Sequence, residues 1–262
     1  MQIIYPSRLF HPTIPDETFE QEFYCAQQQG IHCLLLSSDA AAMGEHRFSA
    51  PFESDVPVIW RGWMMAGDEY QQLHQAVAKQ GATLMTSPED YLRSHHLTGW
   101  YSLCRDFTPE THITERDADF DKLVEELQWP AYFVKDYVKS LTTQRGSIAR
   151  NAGEIREIIE LLEKFRGQIE GGICLRRFEH FDDQSEKRYF VLNKRIYAAD
   201  DTIPEQVIAI AQRIERPFYS IDMAINDSGK LRLIEIGDGQ VSDIKEWAVE
   251  RFVQMLLSSV DT

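Results

Sequence analysis

Hydrophobic positions in the first 90 residues alternate between short continuous apolar runs and helical spacing. The apolar runs predict strands at Gln2–Tyr5, Ile31–Leu36, Val56–Trp60 and Ala82–Met85. The helical spacing predicts helices at Glu17–Gln29 and Glu69–Lys79, each followed by a glycine that ends it. Strands that alternate with helices are typical of βαβ units around a parallel sheet. We therefore expect an N-terminal α/β domain over residues 1–86.

The pattern changes after this region. Ser87-Pro88 predicts the start of a helix, and Thr108-Pro109 breaks the chain. Further helices are predicted at Asp117–Leu127, Glu154–Phe165, Ile203–Ile214 and Lys245–Leu257. Strands are predicted at Ala131–Lys135, Ile173–Phe178, Arg188–Leu192, Arg195–Ala198, Phe218–Ile225 and Leu231–Ile236. The fold class is thus α/β, with α+β character in a C-terminal part over residues 87–262 that divides into subdomains at about 87–170 and 171–262.

The balance of charges excludes some classes of function. Lysine and arginine number 27 against 42 aspartates and glutamates, which gives a net charge of −15. This charge repels nucleic acid, so a general DNA or RNA binder is not expected. No apolar run approaches the roughly 18–20 residues of a membrane helix. The four cysteines form no CxxC pair, and we expect a reduced, cytoplasmic protein.

Two acidic residues lie on the predicted hairpin formed by Phe218–Ile225 and Leu231–Ile236. If Ile225 pairs with Lys230 across the turn, Glu235 lies opposite Ser220, and Asp222 points to the same face. The two carboxylates are then diagonal neighbours, about 7–8 Å apart at the backbone. Mg²⁺ prefers hard oxygen ligands, so one interpretation is a metal site. The other interpretation is two solvated acids on an exposed sheet face.

A lysine ends the predicted strand Ala131–Lys135, and a polar loop over residues 136–148 follows it. The loop contains Lys139, Ser140, Thr142, Thr143, Gly146 and Ser147. Backbone N–H groups of such loops can line up on phosphate oxygens, although the GxxxxGK(S/T) pattern is absent. A phosphate-binding lysine and a lysine that merely ends a strand are both compatible with this pattern.

Taken in order, these segments resemble the ATP-grasp superfamily of the carboxylate–amine ligase type, and a bacterial and phage subgroup of it. The segments that carry the resemblance are Pro130–Lys135, the loop after it, Gly172–Glu179, Glu186–Arg188, Ile221-Asp222 and Leu233–Gln240. The family has a strand-end lysine, a phosphate-covering loop, a hinge strand, an E-x-R pair, and an aspartate and a glutamate on adjacent strands. The resemblance implies a Rossmann-like pre-ATP-grasp domain followed by a two-subdomain ATP-grasp fold.

The resemblance also implies how ATP and Mg²⁺ would be held. Lys135 would bind the phosphates, and Lys139 with the loop from Ser140 to Ser147 would close over them. Asp222 and Glu235 would bind Mg²⁺, and Asp238 would replace the family's asparagine, whose position is Gly237 here.

The predicted hinge would hold the rest of the nucleotide. It comprises Arg176, Arg177, Phe178 and Glu179, with Phe178 against the adenine and Glu179 near the ribose. Glu186 and Arg188 form the E-x-R pair. Catalytic roles are implied for Arg188, Lys139 and Arg176, with Arg188 at the acyl-phosphate.

The implied activity is an ADP-forming, Mg·ATP-dependent ligation of a carboxylate to an amine, with small-molecule or peptide substrates. An ATP-dependent phosphotransferase and a non-catalytic nucleotide-binding module are the alternatives. The family's early lysine is missing from residues 91–97, where Arg93 or His96 are candidates to replace it. Arg61, which follows a predicted strand end, is a candidate substrate contact.

Overall fold

A computed structural model of the chain describes residues 1–141 and 143–258. These residues form two compact units, each assembled from separate stretches of sequence. The first unit contains Met1–Ser94, Lys187–Ile221 and the residues from Gly237 onward, and the second contains His95–Glu186 and Asp222–Ile236. The boundaries predicted from the sequence cut the chain into consecutive pieces, because a pattern along the chain does not reveal that later strands return to an earlier unit.

The first unit contains a sheet whose central strands are buried apolar runs. Its strands are β1 (Gln2–Arg8), β2 (His11–Pro15), β3 (His32–Leu36) and β4 (Val58–Trp60). Strand β1 pairs in parallel with β3 and β4, as the alternating pattern predicts. The associated helices are α1 (Glu20–Gln28), α2 (Ser38–Ala41), α3 (Gly67–Lys79) and α4 (Pro88–His95).

Two details of this sheet differ from the prediction. Strand β2 pairs antiparallel with the end of β1, although its sequence HPTIP is mostly exposed and lacks a strand-like apolar run. The strand predicted at Ala82–Met85 contributes only a single bridge, between Leu84 and Val58. Pairing with a neighbour, rather than the local pattern, decides both cases.

A second sheet lies in the second unit and has the order β5-β8-β6-β7. Its strands are β5 (Thr111–Thr114), β6 (Tyr132–Asp136), β7 (Ile148–Ala149) and β8 (Ile173–Arg177), and the helices of this region are α5 (Tyr101–Cys104), α6 (Phe120–Leu127) and α7 (Ala152–Arg166). Every pairing in the sheet is antiparallel. One face buries Tyr132, Val134 and Leu175 against apolar residues of α6 and α7.

A third sheet has the order β10-β9-β11-β12. Its strands are β9 (Lys187–Leu192), β10 (Arg195–Ala198), β11 (Phe218–Ile225) and β12 (Leu231–Asp238), followed or interrupted by α8 (Glu205–Ala211) and α9 (Val249–Leu257). The turn from β9 to β10 has positive φ at both Asn193 and Lys194, which the tight hairpin turn requires. No helix among residues 1–141 and 143–258 is long and apolar enough to cross a membrane.

Candidate active site

One face of the β5-β8-β6-β7 sheet carries the charged residues of the second unit. Phe133 pairs with Arg176, and Lys135 pairs with Cys174. Because alternate side chains in a strand share a face, these four residues lie opposite the face that packs on the helices. Lys135 and Arg176 are both buried. The sheet therefore offers two desolvated cations on one surface.

Lys135 has a carboxylate beside it. Its Nζ lies 3.4 Å from Oε1 of Glu235, and the two side chains are 7% and 39% exposed. A lysine ammonium has three donors, so this one long contact leaves it able to bind a further anion. Cys174, next to Lys135 on the same face, is not a reactive thiolate, because burial raises its pKa to about 12.

The hairpin that carries Asp222 and Glu235 closes one residue away from the predicted pairing. Asn226 N–H donates to the Lys230 carbonyl at 2.9 Å, whereas the prediction pairs Ile225 with Lys230. If this pairing continued unchanged along the strands, Asp222 and Glu235 would lie on opposite faces.

Contacts at the other end of the same strands show that the pairing does change. A Cβ built on Gly237 would lie 2.7 Å from Ser220 Oγ, and Gly239 N–H donates to the Phe218 carbonyl. Gly237 and Ser220 thus share a face, which requires one extra residue in a strand between this point and the turn, as in a β-bulge.

Two observations place the extra residue at Ile234-Glu235. Ile234 lines a cavity together with Phe133, and Glu235 contacts Lys135, which shares a sheet face with Phe133. Successive side chains of a regular strand point to opposite sides, so both can reach this side only at an irregular position. From Glu235 onward the pairing then matches that of Gly237 with Ser220, and Asp222 and Glu235 share a face.

The cavity beside these residues has a volume of about 280 Å³. Its apolar lining consists of Pro109, Phe133, Phe178, Phe181 and Ile234, and its polar lining includes Arg176, Arg177 and Glu179. An apolar slot with a few polar groups at its edge is the usual form of a small-molecule site, and this one lies on the sheet face that carries Lys135.

Glu179, at the edge of the cavity, is held by two side chains. Arg232 donates to both carboxylate oxygens, at 3.1 Å from Nε to Oε2 and 2.9 Å from Nη2 to Oε1. Asn226 Nδ2 donates to Oε2 at 2.8 Å. The carboxylate is therefore fixed in orientation.

The loop over residues 136–148 is anchored at its beginning by Asp136. This fully buried carboxylate accepts from the backbone N–H groups of Val138 and Lys139 through Oδ1, and pairs with Arg166 through Oδ2. Lys139 itself is exposed, and Ser140 bridges to Lys135. Thr142 lies outside the described residues.

Ser147 does not support the role predicted for it. Its hydroxyl is buried and is bonded to the backbone of Leu141, accepting from the N–H at 2.7 Å. It closes the loop on itself, so a structural role replaces the predicted phosphate contact.

Arg188 and Asp238 both belong to the first unit. Arg188 Nη1 donates to the Asp243 carbonyl at 2.6 Å. Asp238 is fully buried and accepts from the backbone N–H of Gln240 at 2.9 Å. Burial raises the pKa of Asp238 to about 7, which opposes the ionised form that a metal ligand needs. The metal role predicted for Asp238 is therefore not supported. Of the remaining predicted residues, Arg177 and Glu186 are exposed.

The predicted substitutes for the missing lysine have carboxylate partners. Arg93 pairs with Glu89 at 2.7 Å, and His96 Nε2 lies 3.0 Å from Glu170 Oε1. Arg61 is also not free to contact a substrate, since it is 2% exposed and forms a two-point ion pair with Glu22. Its Nη1 additionally donates to three carbonyls of the segment from Gly239 to Ser242.

Comparison with known proteins decides the family. Residues 79–256 match the model of an ATP-grasp domain, the third family of its clade, and the match covers more than half of the 262 residues. The chain belongs to this ATP-grasp family. A search among curated proteins gives no match.

Solved structures share the ATP-grasp fold over nearly the whole chain. D-alanyl-alanine synthetase A from Vibrio cholerae aligns with a TM-score of 0.63 at 12% identity, over 100% of this chain and 97% of its own. D-cycloserine synthetase gives 0.62 at 10%, over 98% and 99%. N5-carboxyaminoimidazole synthase from Aspergillus clavatus gives 0.64 at 12%, over 99% and 77%. The predicted mixed α/β ATP-grasp fold is thereby confirmed.

Several residues that shape this ATP-grasp site were missed by the sequence reasoning. Thr108 was interpreted only as part of a chain break, but its hydroxyl is buried and bonded. Arg232 orients Glu179, and Asp136 anchors the loop. The only sequence signal was that each is a polar residue next to an apolar strand or a predicted functional residue.

Proposed function

We propose that this ATP-grasp protein is a Mg·ATP-dependent, ADP-forming ligase that joins a carboxylate to an amine through an acyl-phosphate. The observation that carries the proposal is the pairing of buried Lys135 with Glu235 beside an apolar cavity on one sheet face. In this assignment the cavity takes the adenine, with Phe178 against the base and Glu179 toward the ribose. One of the similar structures, N5-carboxyaminoimidazole synthase, is a complex with ADP.

The residues of the second unit fit a magnesium-bound triphosphate. Asp222 and Glu235 offer hard carboxylate oxygens, and the described residues hold no group of three or more His, Cys, Asp or Glu side chains that could bind a metal. Mg²⁺ is commonly held by one or two carboxylates, with phosphate oxygens and water as the other ligands. A bound Mg²⁺ would neutralise charge on the transferred phosphoryl group. Two acids and one triphosphate therefore make a sufficient ligand set.

Charge governs the proposed chemistry. Attack of a carboxylate oxygen on the γ-phosphorus forms the acyl-phosphate and releases ADP, and it brings two anions together. Lys135 offsets that charge at the phosphates, and because it is buried its attraction is stronger than it would be in water. The amine then attacks the acyl carbon, forms the amide and expels phosphate. The loop over residues 136–148, which carries Lys139 and Ser140, is proposed to keep water away from the acyl-phosphate.

Trapping with hydroxylamine tests this proposal. The protein would be incubated with Mg²⁺, ATP, hydroxylamine and a panel of amino acids and short peptides, and hydroxamate would be measured together with ADP. Equal amounts of ADP and hydroxamate are expected for an accepted carboxylate. Glu235→Gln should abolish both, while Glu125→Gln, an exposed residue on α6, should change neither. Transfer of the γ-phosphate to a hydroxyl group in the panel would contradict ligation and support a phosphotransferase.

A further inference from the structure

The backbone just before Glu235 is held in an unusual way. Leu233 N–H donates to the Phe107 carbonyl at 2.8 Å, and the Leu233 carbonyl accepts from Thr108 Oγ1 at 2.8 Å. The next carbonyl, that of Ile234, accepts from Arg176 Nη1 at 3.0 Å. In a regular strand successive carbonyls point to opposite edges, yet these two are both bonded by the Thr108–Arg176 pair. This agrees with an extra residue at Ile234-Glu235.

Thr108 and Arg176 are also bonded to each other. Arg176 Nη2 donates to Thr108 Oγ1 at 2.6 Å, so the single hydroxyl accepts from the guanidinium and donates to Leu233. Both side chains are buried, at 1% and 7% exposure. A β-bulge leaves ladder groups unpaired and redirects a side chain. Here the carbonyls freed by the bulge are satisfied by two dedicated side chains.

The charge of Arg176 acts in the same direction. Burial lowers the pKa of Arg176, and the negative charge of Glu235 is the largest influence that opposes the shift. The guanidinium donates to the Thr108 hydroxyl and to the Ile234 carbonyl, and both of these acceptors are uncharged. Glu235 is therefore attracted to this side of its strand both by the backbone bonds and by the buried cation.

We propose that Thr108 and Arg176 are positioning residues that hold the bulge at Ile234-Glu235 and so direct the Glu235 carboxylate toward the metal of a bound nucleotide. This inference rests on the proposed function. It replaces the direct catalytic role predicted for Arg176, whose Nη atoms are occupied by Thr108 and the Ile234 carbonyl. It also gives Thr108 a function that its position before Pro109 did not suggest.

Metal affinity and nucleotide affinity should respond differently to loss of these bonds. Glu235 is a predicted metal ligand, whereas the cavity and Lys135 would contact the nucleotide itself. Loss of the Thr108–Arg176 bond should therefore weaken metal binding in the ternary complex and leave metal-free nucleotide binding nearly unchanged. A role in general stability alone would not produce this difference.

Thr108→Val and Thr108→Ser form a matched pair for the test. Valine keeps the shape of threonine without the hydroxyl, and serine keeps the hydroxyl. Mn²⁺, which like Mg²⁺ prefers oxygen ligands in octahedral geometry, would be titrated into protein with a non-hydrolysable ATP analogue, and free Mn²⁺ would be measured by electron paramagnetic resonance. Binding of the analogue in EDTA would be measured by calorimetry.

We expect Thr108→Val to bind Mn²⁺ about tenfold more weakly, as loss of one bond to a charged group predicts, with metal-free affinity changed less than about threefold. Thr108→Ser should resemble the wild type. Equal Mn²⁺ affinity in Thr108→Val and wild type would overturn the inference, as would equal losses with and without metal. If Thr108→Val does not fold, Arg176→Lys, which keeps the charge but cannot span Thr108 and Ile234, takes the same test. A wild type that binds neither analogue nor Mn²⁺ would overturn the proposed function, and the inference with it.

Discussion

Lys135 Nζ and Glu235 Oε1 lie 3.4 Å apart, although 100 positions separate the two residues in the sequence. The contact joins the end of strand β6 to strand β12 and places a buried cation beside a partly exposed carboxylate. The pair is incomplete as an ion pair, because the distance is long and the lysine has donors to spare. An anion with a bound cation, such as Mg·ATP, would complement both charges.

Lys135 is expected to contribute directly to nucleotide affinity. Lys135→Met should weaken binding of an ATP analogue about 10- to 100-fold, because a hydrogen bond to a charged group contributes about 1.5–3 kcal/mol and about 1.4 kcal/mol corresponds to tenfold in affinity. Calorimetric titration in Mg²⁺ measures the change. Lys122→Met, which removes an exposed lysine of α6, should leave the affinity unchanged. Wild-type affinity in Lys135→Met would remove this residue from the phosphate site.

The buried ion pair of the first unit should be important for stability. Arg61 and Glu22 are 2% and 6% exposed at their side chains, with a 2.8 Å contact. Removing one partner of such a pair leaves an uncompensated buried charge, so Glu22→Gln should lower the free energy of unfolding by about 3–5 kcal/mol. Urea unfolding measures it. Glu45→Gln, which breaks the exposed pair with Arg47, should cost less than about 1 kcal/mol. Similar losses in both variants would show that the Arg61 network contributes little.

Asp238 should make the stability of the protein depend on pH. Burial raises its pKa from 3.8 to about 7. Between these values the native carboxyl keeps a proton that the unfolded chain has lost, so this group makes the protein less stable as the pH rises from about 4 to 7, by at most about 1.4 kcal/mol per pH unit.

His95 has the opposite effect over part of this range. Burial lowers its pKa from 6.5 to about 3, so the unfolded chain binds the extra proton, and stability falls as the pH drops from about 6.5. The two contributions oppose one another in the wild type. Asp238→Asn should therefore make stability rise more steeply between pH 5 and 6.5 in urea unfolding experiments. An unchanged pH profile in this variant would contradict the raised pKa.

Gly237 occupies the position where other members of the superfamily carry asparagine, and the structure leaves little room there. An added Cβ would lie 2.7 Å from Ser220 Oγ and 3.0 Å from Ser242 Oγ, and these two hydroxyls are bonded to each other at 2.8 Å. Gly237→Asn should therefore destabilise the protein by about 1–3 kcal/mol through overpacking. Adding Ser220→Gly should recover part of the loss in thermal unfolding. A neutral Gly237→Asn would mean that the hydroxyls move aside without cost.

Much of the fold could be predicted because its signals are local. Buried apolar runs predicted the strands β1, β3 and β11, and the glycine after α7 lies at the helix end with positive φ. Lys135 was predicted at a strand end, where the structure also places it in β6. Such features depend on residues close in sequence, and the pattern of the chain records them directly.

The details of the site depend on distant residues and could not be predicted in this way. The bulge at Ile234-Glu235 is held by Thr108, which is 125 positions from Leu233. Asp238 has the chemistry of a metal ligand, but it is buried beside Gln240 in the first unit. In both cases the side chain's partners, and not its type, determine its role.

Glu235 and Lys135 are proposed to form a Mg·ATP site, and thermal unfolding tests this most directly. Wild type and Glu235→Gln would be heated with and without a non-hydrolysable ATP analogue, each in Mg²⁺ and in EDTA. A ligand at about 100 times its dissociation constant stabilises the native state by about 2.7 kcal/mol. We predict a clear rise in the wild-type melting temperature in Mg²⁺ with the analogue, a much smaller rise in EDTA, and no gain from Mg²⁺ in Glu235→Gln. The same rise in EDTA and in Glu235→Gln, or none in any condition, would contradict the proposed site.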